Sequence, residues 1–352
     1  MGEPARLDRH AIILAGGDGK RLEPLVQRLR GDNLPKQYVN FLGRRSMLEH
    51  TFDRVEKLIV PECIMTVVTR DHLRFPDVTR QLSVRPQETI IVQPIKKDTA
   101  PGVLLPLMHL YKRNPESIVA LFPSDHFVLE EDRFMSHVSL AFEMVEQNPS
   151  LLILLGIAPT EPEPEYGYIL PRGNRTDRLK IQRVSRFVEK PDPREAQHLI
   201  LNGGLWNTFV MISRTKRFLG IISDLAPELF AKAEELGKAI GTRNEVNRIN
   251  AIYQDLKPAN FSKAILERLP QRCPSCLSVL AVENVLWSDW GLPRSIAKVV
   301  QKTGHMQRTL NVDGVFQSPL CGVLREIAGF PPSIGAVHDR IHPGNRALDV
   351  SA

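Results

Sequence analysis

Apolar residues recur along the first 160 positions in short, almost uninterrupted runs: His10–Ala15, Cys63–Thr69, Thr89–Gln93, Ile118–Phe122 and Leu151–Ile157. Runs of this length predict strands buried on both faces, as parallel strands are. Between the runs the period changes. In Asp132–Gln147, Phe134, Met135, Val138, Ala141, Phe142 and Val145 fall on one face at helical spacing. Strands alternating with helices of this length predict βαβ units and an open α/β sheet. After Pro159 the pattern loosens. The stretch PTEPEPEYGYILP reads as a loop leading into an edge or hairpin strand, and further strands are expected at Arg183–Glu189, Asn207–Ile212 and Leu277–Val282. Thr215–Leu269 is almost wholly helical in pattern. From Thr303 onward periodicity fades, and GFPPSIGAVHDRIHPGNRALDVSA reads as a loose tail.

Composition narrows the class. A hydrophobic share of 42% with 24% charged residues suits an ordinary globular chain. No window approaches a membrane span, and the first ten residues lack an apolar signal core, so the cytoplasm is the expected location. The net charge of +6 is spread rather than blocked, which argues against nucleic acid and for a phosphorylated small molecule. Cys273 and Cys276 have the spacing of half a zinc site, but no second pair follows. With Cys63 and Cys321 they are expected to be reduced, structural thiols.

In an open α/β sheet, ligands bind beyond the carboxyl ends of the strands. After the first run comes Ala15-Gly16-Gly17-Asp18-Gly19-Lys20-Arg21. Glycines let backbone N–H groups approach a phosphate, and Arg21 adds a planar cationic fork. The loop is neither a Walker loop, which needs GxxxxGK[ST], nor a dinucleotide fingerprint, which needs GxGxxG; alone, it is equally a plain turn. Pro35-Lys36-Gln37 offers a second cation, or a surface lysine. Gln93, then Asp98 and Thr99, follow the third run; the last two are helix-start residues compatible with nucleotide contact. Asp125 ends the fourth run, where a divalent cation would be held, and His126 beside it reads as polar support. Glu189-Lys190, Trp206-Asn207 and Ser288-Asp289-Trp290-Gly291 adjoin later strands, Asp289 being a candidate second metal ligand. Each has a bland reading as a loop charge, surface pair or turn.

The order of these pieces is more specific than any one of them. Gly16–Leu25, Pro35-Lys36-Gln37, Gln93-Pro94 with Thr99-Ala100-Pro101, Pro123–His126, Gly167-Tyr168-Ile169, Phe187–Pro191, Trp206-Asn207 and Trp287–Gly291 together resemble the sugar-1-phosphate nucleotidyltransferases, most closely the mannose-1-phosphate guanylyltransferases. The resemblance covers about residues 10 to 300. It implies a nucleotide-diphospho-sugar transferase fold: a Rossmann-like open mixed sheet flanked by helices, over residues 1–302, with a C-terminal extension at 303–352 that carries no isomerase-like segment. It also implies Mg²⁺-assisted, in-line attack of a sugar 1-phosphate on a nucleoside triphosphate, most simply GTP and mannose 1-phosphate, with loss of diphosphate. Ala15, Gly16, Gly17, Gly19, Arg21, Gln93, Asp98, Thr99 and Asp125 would hold the nucleotide. Gly167, Glu189, Lys190 and Asn207 would hold the sugar phosphate. Arg21, Lys36 and Asp125 would serve transfer, and Asp125 and Asp289 would bind Mg²⁺.

Four segments depart from the family pattern. R-N-T-A-P reads Lys97-Asp98-Thr99-Ala100-Pro101; W-N-S-G-M-F reads Trp206-Asn207-Thr208-Phe209-Val210-Met211; N-D-V-G-S-W reads Ser288–Pro293; and I-D-x-x-x-M-E, within Asn260–Glu267, lacks its Asp. The alternative is a homologue that binds a nucleotide sugar without turnover; the retained Arg21, Lys36, Asp125, Lys190 and Asp289 favour the enzyme. For a nicotinamide-dependent dehydrogenase the chain lacks the third glycine, and Asp71 would serve only loosely as the acidic residue. The stretch after residue 300 is a candidate for subunit contacts in a homo-oligomer.

Overall fold

The computed structural model describes residues 8–173 and 181–302, together with Val323. Eleven strands occur among them: β1 (Arg9–Leu14), β2 (Ile64–Thr69), β3 (Ile90–Gln93), β4 (Ile118–Pro123), β5 (Phe127–Val128), β6 (Leu152–Ile157), β7 (Gly167–Pro171), β8 (Gln182–Glu189), β9 (Leu205–Arg214), β10 (Leu277–Val282) and β11 (Trp287–Ser288). The helices are α1 (Glu23–Arg30), α2 (Met47–Val55), α3 (Pro76–Ser83), α4 (Thr99–Arg113), α5 (Glu131–Gln147), α6 (Pro193–Leu201), α7 (Thr215–Leu225), α8 (Pro227–Ala239), α9 (Glu245–Asp255), α10 (Leu269–Arg272) and α11 (Pro293–Lys302).

Nine strands form one mixed sheet in the order β3-β2-β1-β4-β9-β6-β10-β8-β7. The first four are parallel. β9 runs antiparallel between β4 and β6, and β7 pairs antiparallel with both β8 and β9. Every residue of β2, β4 and β6 is buried. Alternation sends Ile118, Ala120 and Phe122 to one core and Val119 and Leu121 to the other, which is why such strands read as solid apolar runs rather than alternating ones. α5 buries the six residues its helical spacing picked out, and no other. The helical pattern of 215–269 resolves into α7, α8 and α9, a π turn over Ser262–Leu266, and α10.

The expected strands are present, with ends displaced by a residue or two. The expected thiol state is not: Cys273 and Cys276 form a disulfide. The turn from α10 into β10 brings their Cα atoms to 5.4 Å, inside the span a disulfide bridges. Neither cysteine is therefore a reduced thiol or a zinc ligand. Cys63 is free and buried. Residues 303–352, with Cys321 and the proposed subunit-contact stretch, lie outside the described residues apart from Val323.

Candidate active site

Strand ends, loops and the start of α4 surround a cleft of about 470 Å³. On one side lies the loop after β1. Its backbone is clamped from below: Gln37 donates Nε2 to the carbonyls of Ala15 (2.8 Å) and Gly17 (2.7 Å), and the Tyr38 hydroxyl donates to Ala15 (3.1 Å). The second piece of the motif series thus fixes the first, through Gln37 more than through Lys36. Gly16 sits so close to the Gln93 amide that a Cβ there would overlap it. Gly19 turns the chain in the left-handed region (φ 65°), against the Lys36 stem, a conformation glycine adopts at no steric cost.

Twelve of the residues expected at the site line the cleft: Gly16, Gly17, Arg21, Gln93, Asp98, Thr99, Asp125, Gly167, Glu189, Lys190, Asn207 and Asp289. Ala15, Gly19 and Lys36 do not. Ala15 is fully buried. The Lys36 ammonium lies beneath the floor, meeting Asp125 Oδ2 at 3.1 Å and the carbonyls of Asp289 at 3.0 Å and Trp290 at 2.9 Å. Three acceptors for three donors leave it satisfied. Lys36 ties the Asp125 side chain to the backbone of the other candidate metal carboxylate, rather than facing the cleft.

Asp125 is pushed up by burial, but Lys36 and His126 outweigh this and hold its carboxyl below the usual value. It stays ionised and able to take a cation. His126 is pushed down by burial, with Asp125 opposing; its ring stands edge-on to Trp287 at 5.1 Å, in keeping with a supporting role. Asp289 accepts from the Gly291 N–H (2.9 Å) and lies 3.9 Å from Arg21. A Cβ on Gly291 would come within 2.8 Å of the Arg21 guanidinium, so the glycine retained in that segment makes room for the arginine. Among the described residues no group of three His, Cys, Asp or Glu could hold a metal by itself. Asp125 and Asp289 set two carboxylates on the cleft, oxygen ligands of the kind a hard divalent cation takes.

The opposite side belongs to β7, β8 and β9. Glu189 is half-buried; burial pushes its carboxyl up, opposed chiefly by a hydrogen bond with Ser262. Its backbone N–H donates to Glu267 Oε1 at 2.8 Å. Lys190 is held in the left-handed region (φ 52°), where its N–H reaches the Tyr166 carbonyl at 3.1 Å. Asp98 (φ 69°) and Phe209 (φ 57°) also have positive φ, so three of the five such non-glycine residues described line this cleft. Strain of this kind collects at functional sites.

Sequence reasoning missed Glu165. Its carboxylate takes Arg21 Nη1 at 2.7 Å and lies 3.5 Å from Lys190 Nζ, joining the two sides. The loop that carries it is pinned by Tyr168, whose hydroxyl accepts from the Glu163 N–H (2.9 Å) and from Trp206 Nε1 (3.0 Å), and by Arg294, which grips Glu163. The acidity of PTEPEPEYGYILP was the available signal; its partners, 144 and 25 residues away, were not visible in it. A larger cavity of about 840 Å³ lies behind Phe127 and Trp290. Cations on its wall are already paired, Lys57 with Asp132 and Arg54 with Glu131.

Residues 10–305 match the family model described as "Nucleotidyl transferase", and the chain belongs to that family. "Alginate biosynthesis protein AlgA" of Pseudomonas fluorescens is 29% identical over 84% of this chain and 59% of its own length. "Xanthan biosynthesis protein XanB" of Xanthomonas campestris pv. campestris (strain B100) is 32% identical, over 84% of this chain and 60% of its own. "Mannose-1-phosphate guanylyltransferase" of Escherichia coli is 26% identical over the same shares. The chain thus spans about three fifths of the length of these relatives. A solved structure titled "mannose-1-phosphate geranyltransferase", from Thermus thermophilus, superposes with a TM-score of 0.67 at 27% identity, covering 81% of this chain and 77% of that one. A structure titled "mannose-6-phosphate isomerase", from Helicobacter pylori, superposes at 0.62 over 80% of this chain and all of that one, but at 18% identity shares the fold alone.

Proposed function

We propose that residues 1–302 join a nucleoside triphosphate to a sugar 1-phosphate, releasing diphosphate, with GTP and mannose 1-phosphate the first pair to test. The observation that carries this reading is Glu165: one carboxylate touches both Arg21 and Lys190. Two cations from opposite sides of the cleft, bridged by one anion, suit the meeting of two phosphate groups. Transfer of this kind needs positioning and charge neutralisation rather than a nucleophilic side chain.

In this reading Gly16, Gly17 and Arg21 take the triphosphate, and the buried Gln93 with Asp98 and Thr99 faces the nucleoside. Glu189 and Asn207 take sugar hydroxyls, and Lys190 the sugar phosphate. Asp125 and Asp289 hold Mg²⁺, which when bound offsets charge on the reacting phosphates. Lys36 keeps Asp125 ionised and fixes the 289–290 backbone. Guanine and mannose are suggested by the names of the relatives. No helix among the described residues is long and apolar enough to cross a membrane, which fits an enzyme of soluble substrates in the cytoplasm. The test is diphosphate release from a grid of four nucleoside triphosphates against hexose 1-phosphates, with and without Mg²⁺. Release that requires a triphosphate, a sugar 1-phosphate and the cation is expected. Calorimetric binding of a nucleotide sugar with no release in any cell of the grid would instead support a binding-only homologue.

A further inference from the structure

β9 is broken where it borders the cleft. Its pairing with β6 passes from Met211 opposite Leu154 to Asn207 opposite Gly156, so Leu155 alone faces residues 208–210. Thr208 bridges the gap by donating Oγ1 to the Leu155 carbonyl at 2.7 Å. Bulges of this kind re-aim a side chain beside a site. The residue re-aimed is Phe209. Its backbone is left-handed (φ 57°), its N–H is held by Asn207 Oδ1 at 3.1 Å, and its ring lines the cleft with Asn207 and Glu189. For a bulky side chain this backbone conformation is an outlier, and the family pattern has glycine at this position. Behind it stands Phe261, edge-on at 6.2 Å and fully buried, backed by Phe218. Ser262, next in sequence, bonds Glu189 from below. Phe209, backed by Phe261, therefore sets an apolar wall beside Asn207 and Glu189 in this cleft.

We propose that Phe209 is a specificity-determining residue, and that the preferred acceptor is the 1-phosphate of a deoxysugar, turned so that its hydroxyl-free edge meets the ring. This rests on the nucleotidyl-transfer reading and narrows its substrate class. A hydroxyl driven against Phe209 loses its water and gains no partner, at a cost of about fivefold or more in affinity. A sugar lacking that hydroxyl is spared the loss. Asn207, which holds the Phe209 N–H, ties the wall to the polar contacts, so the two act on the same ring.

The experiment is calorimetric titration of the full chain with mannose 1-phosphate and its 2-, 3-, 4- and 6-deoxy analogues, alongside kcat/KM for each with GTP and Mg²⁺. One analogue is expected to bind at least about fivefold tighter than mannose 1-phosphate. Phe209→Gly, at ease in the left-handed region, should abolish that advantage. Phe209→Asn, which also tolerates the conformation and can pair with a hydroxyl, should make mannose 1-phosphate the better ligand, and decides the matter should the glycine variant fail to fold. If all four analogues bind more weakly than mannose 1-phosphate, or if the preference survives both substitutions, the ring is only structural and the inference falls. Turnover without the preference overturns the inference alone. Neither binding nor turnover with any of the five overturns the inference, and takes the transfer reading with it where the grid of triphosphates and hexose 1-phosphates also releases no diphosphate.

Discussion

The two sides of the cleft are built differently. On one side, parallel strands β1 to β4 end in loops whose polar groups are already engaged: Gln37 clamps the glycine loop, Thr69 links Gly16 to Gln93, and Lys36 is saturated. On the other side, β7, β8 and β9 meet through antiparallel pairing, a bulge and two left-handed residues, Lys190 and Phe209. The first side keeps the spacing of its family; three of the four departures lie on the other side or beside the candidate metal carboxylates. A surface closed by its own hydrogen bonds tolerates little substitution, because each exchange strands a buried partner. A wall made of aromatic packing can be rebuilt one ring at a time.

Asp125 lies where the sides meet, and its loss should have the largest effect. Asp125→Asn keeps shape but removes the charge that pairs Lys36 and is proposed to hold the cation, and kcat should fall by about a thousandfold or more. Steady-state rates across a Mg²⁺ series check this; near-normal rates would mean that the metal lies elsewhere. Two further variants pull the sides apart. Lys190→Ala should raise KM for the sugar 1-phosphate by about ten- to a hundredfold, as expected for a lost charge-assisted hydrogen bond, with KM for the triphosphate little changed. Gly16→Ala should do the reverse, by about tenfold, because its methyl displaces the Gln93 amide. Equal shifts in both constants for either variant would erase the division.

A smaller effect lies in the layer that spans both sides. α4, which follows the Asp98–Thr99 turn, packs on α7 and α8, and its His109 is half-enclosed near Glu245 of α9, 3.7 Å away. Burial pushes His109 down to about 4, with Glu245 opposing and Arg113 and Lys112 adding to it. The native state therefore favours neutral imidazole. Stability should be full above the unfolded value near 6.5 and fall as pH drops toward 4, by about 2 kcal/mol between pH 7 and 5. Denaturant melts of the wild type and His109→Gln test this; an unchanged slope in the variant would assign the loss to other groups.

Much of the fold was legible because burial on both faces writes itself as solid apolar runs, and one-sided burial as helical spacing in α5. The antiparallel insertion of β9 between β4 and β6 was not, since pairing between residues as far apart in sequence as Ile118 and Arg214 leaves no local trace. For the site, cleft residues at strand ends were readable from where ligands bind in such sheets. Lys36 was read as a second cation for the phosphates because a proline holds it close to the glycine loop; its burial depends on carbonyls at 289 and 290. Glu165 and Ser262 escaped notice for the same reason: their meaning lies in distant partners. The disulfide escaped because spacing alone does not set the redox state of a Cys-x-x-Cys pair.

The central claim is that both sides act on two substrates in one step. Its most direct test is to supply GTP, Mg²⁺ and radiolabelled diphosphate, with and without mannose 1-phosphate or GDP-mannose, and to follow label into GTP. Exchange only when GDP-mannose is present, together with GDP-mannose made from mannose 1-phosphate, is the expected result. Label entering GTP with no sugar present would mean a nucleotidyl group held on the protein, and would contradict direct transfer across the cleft.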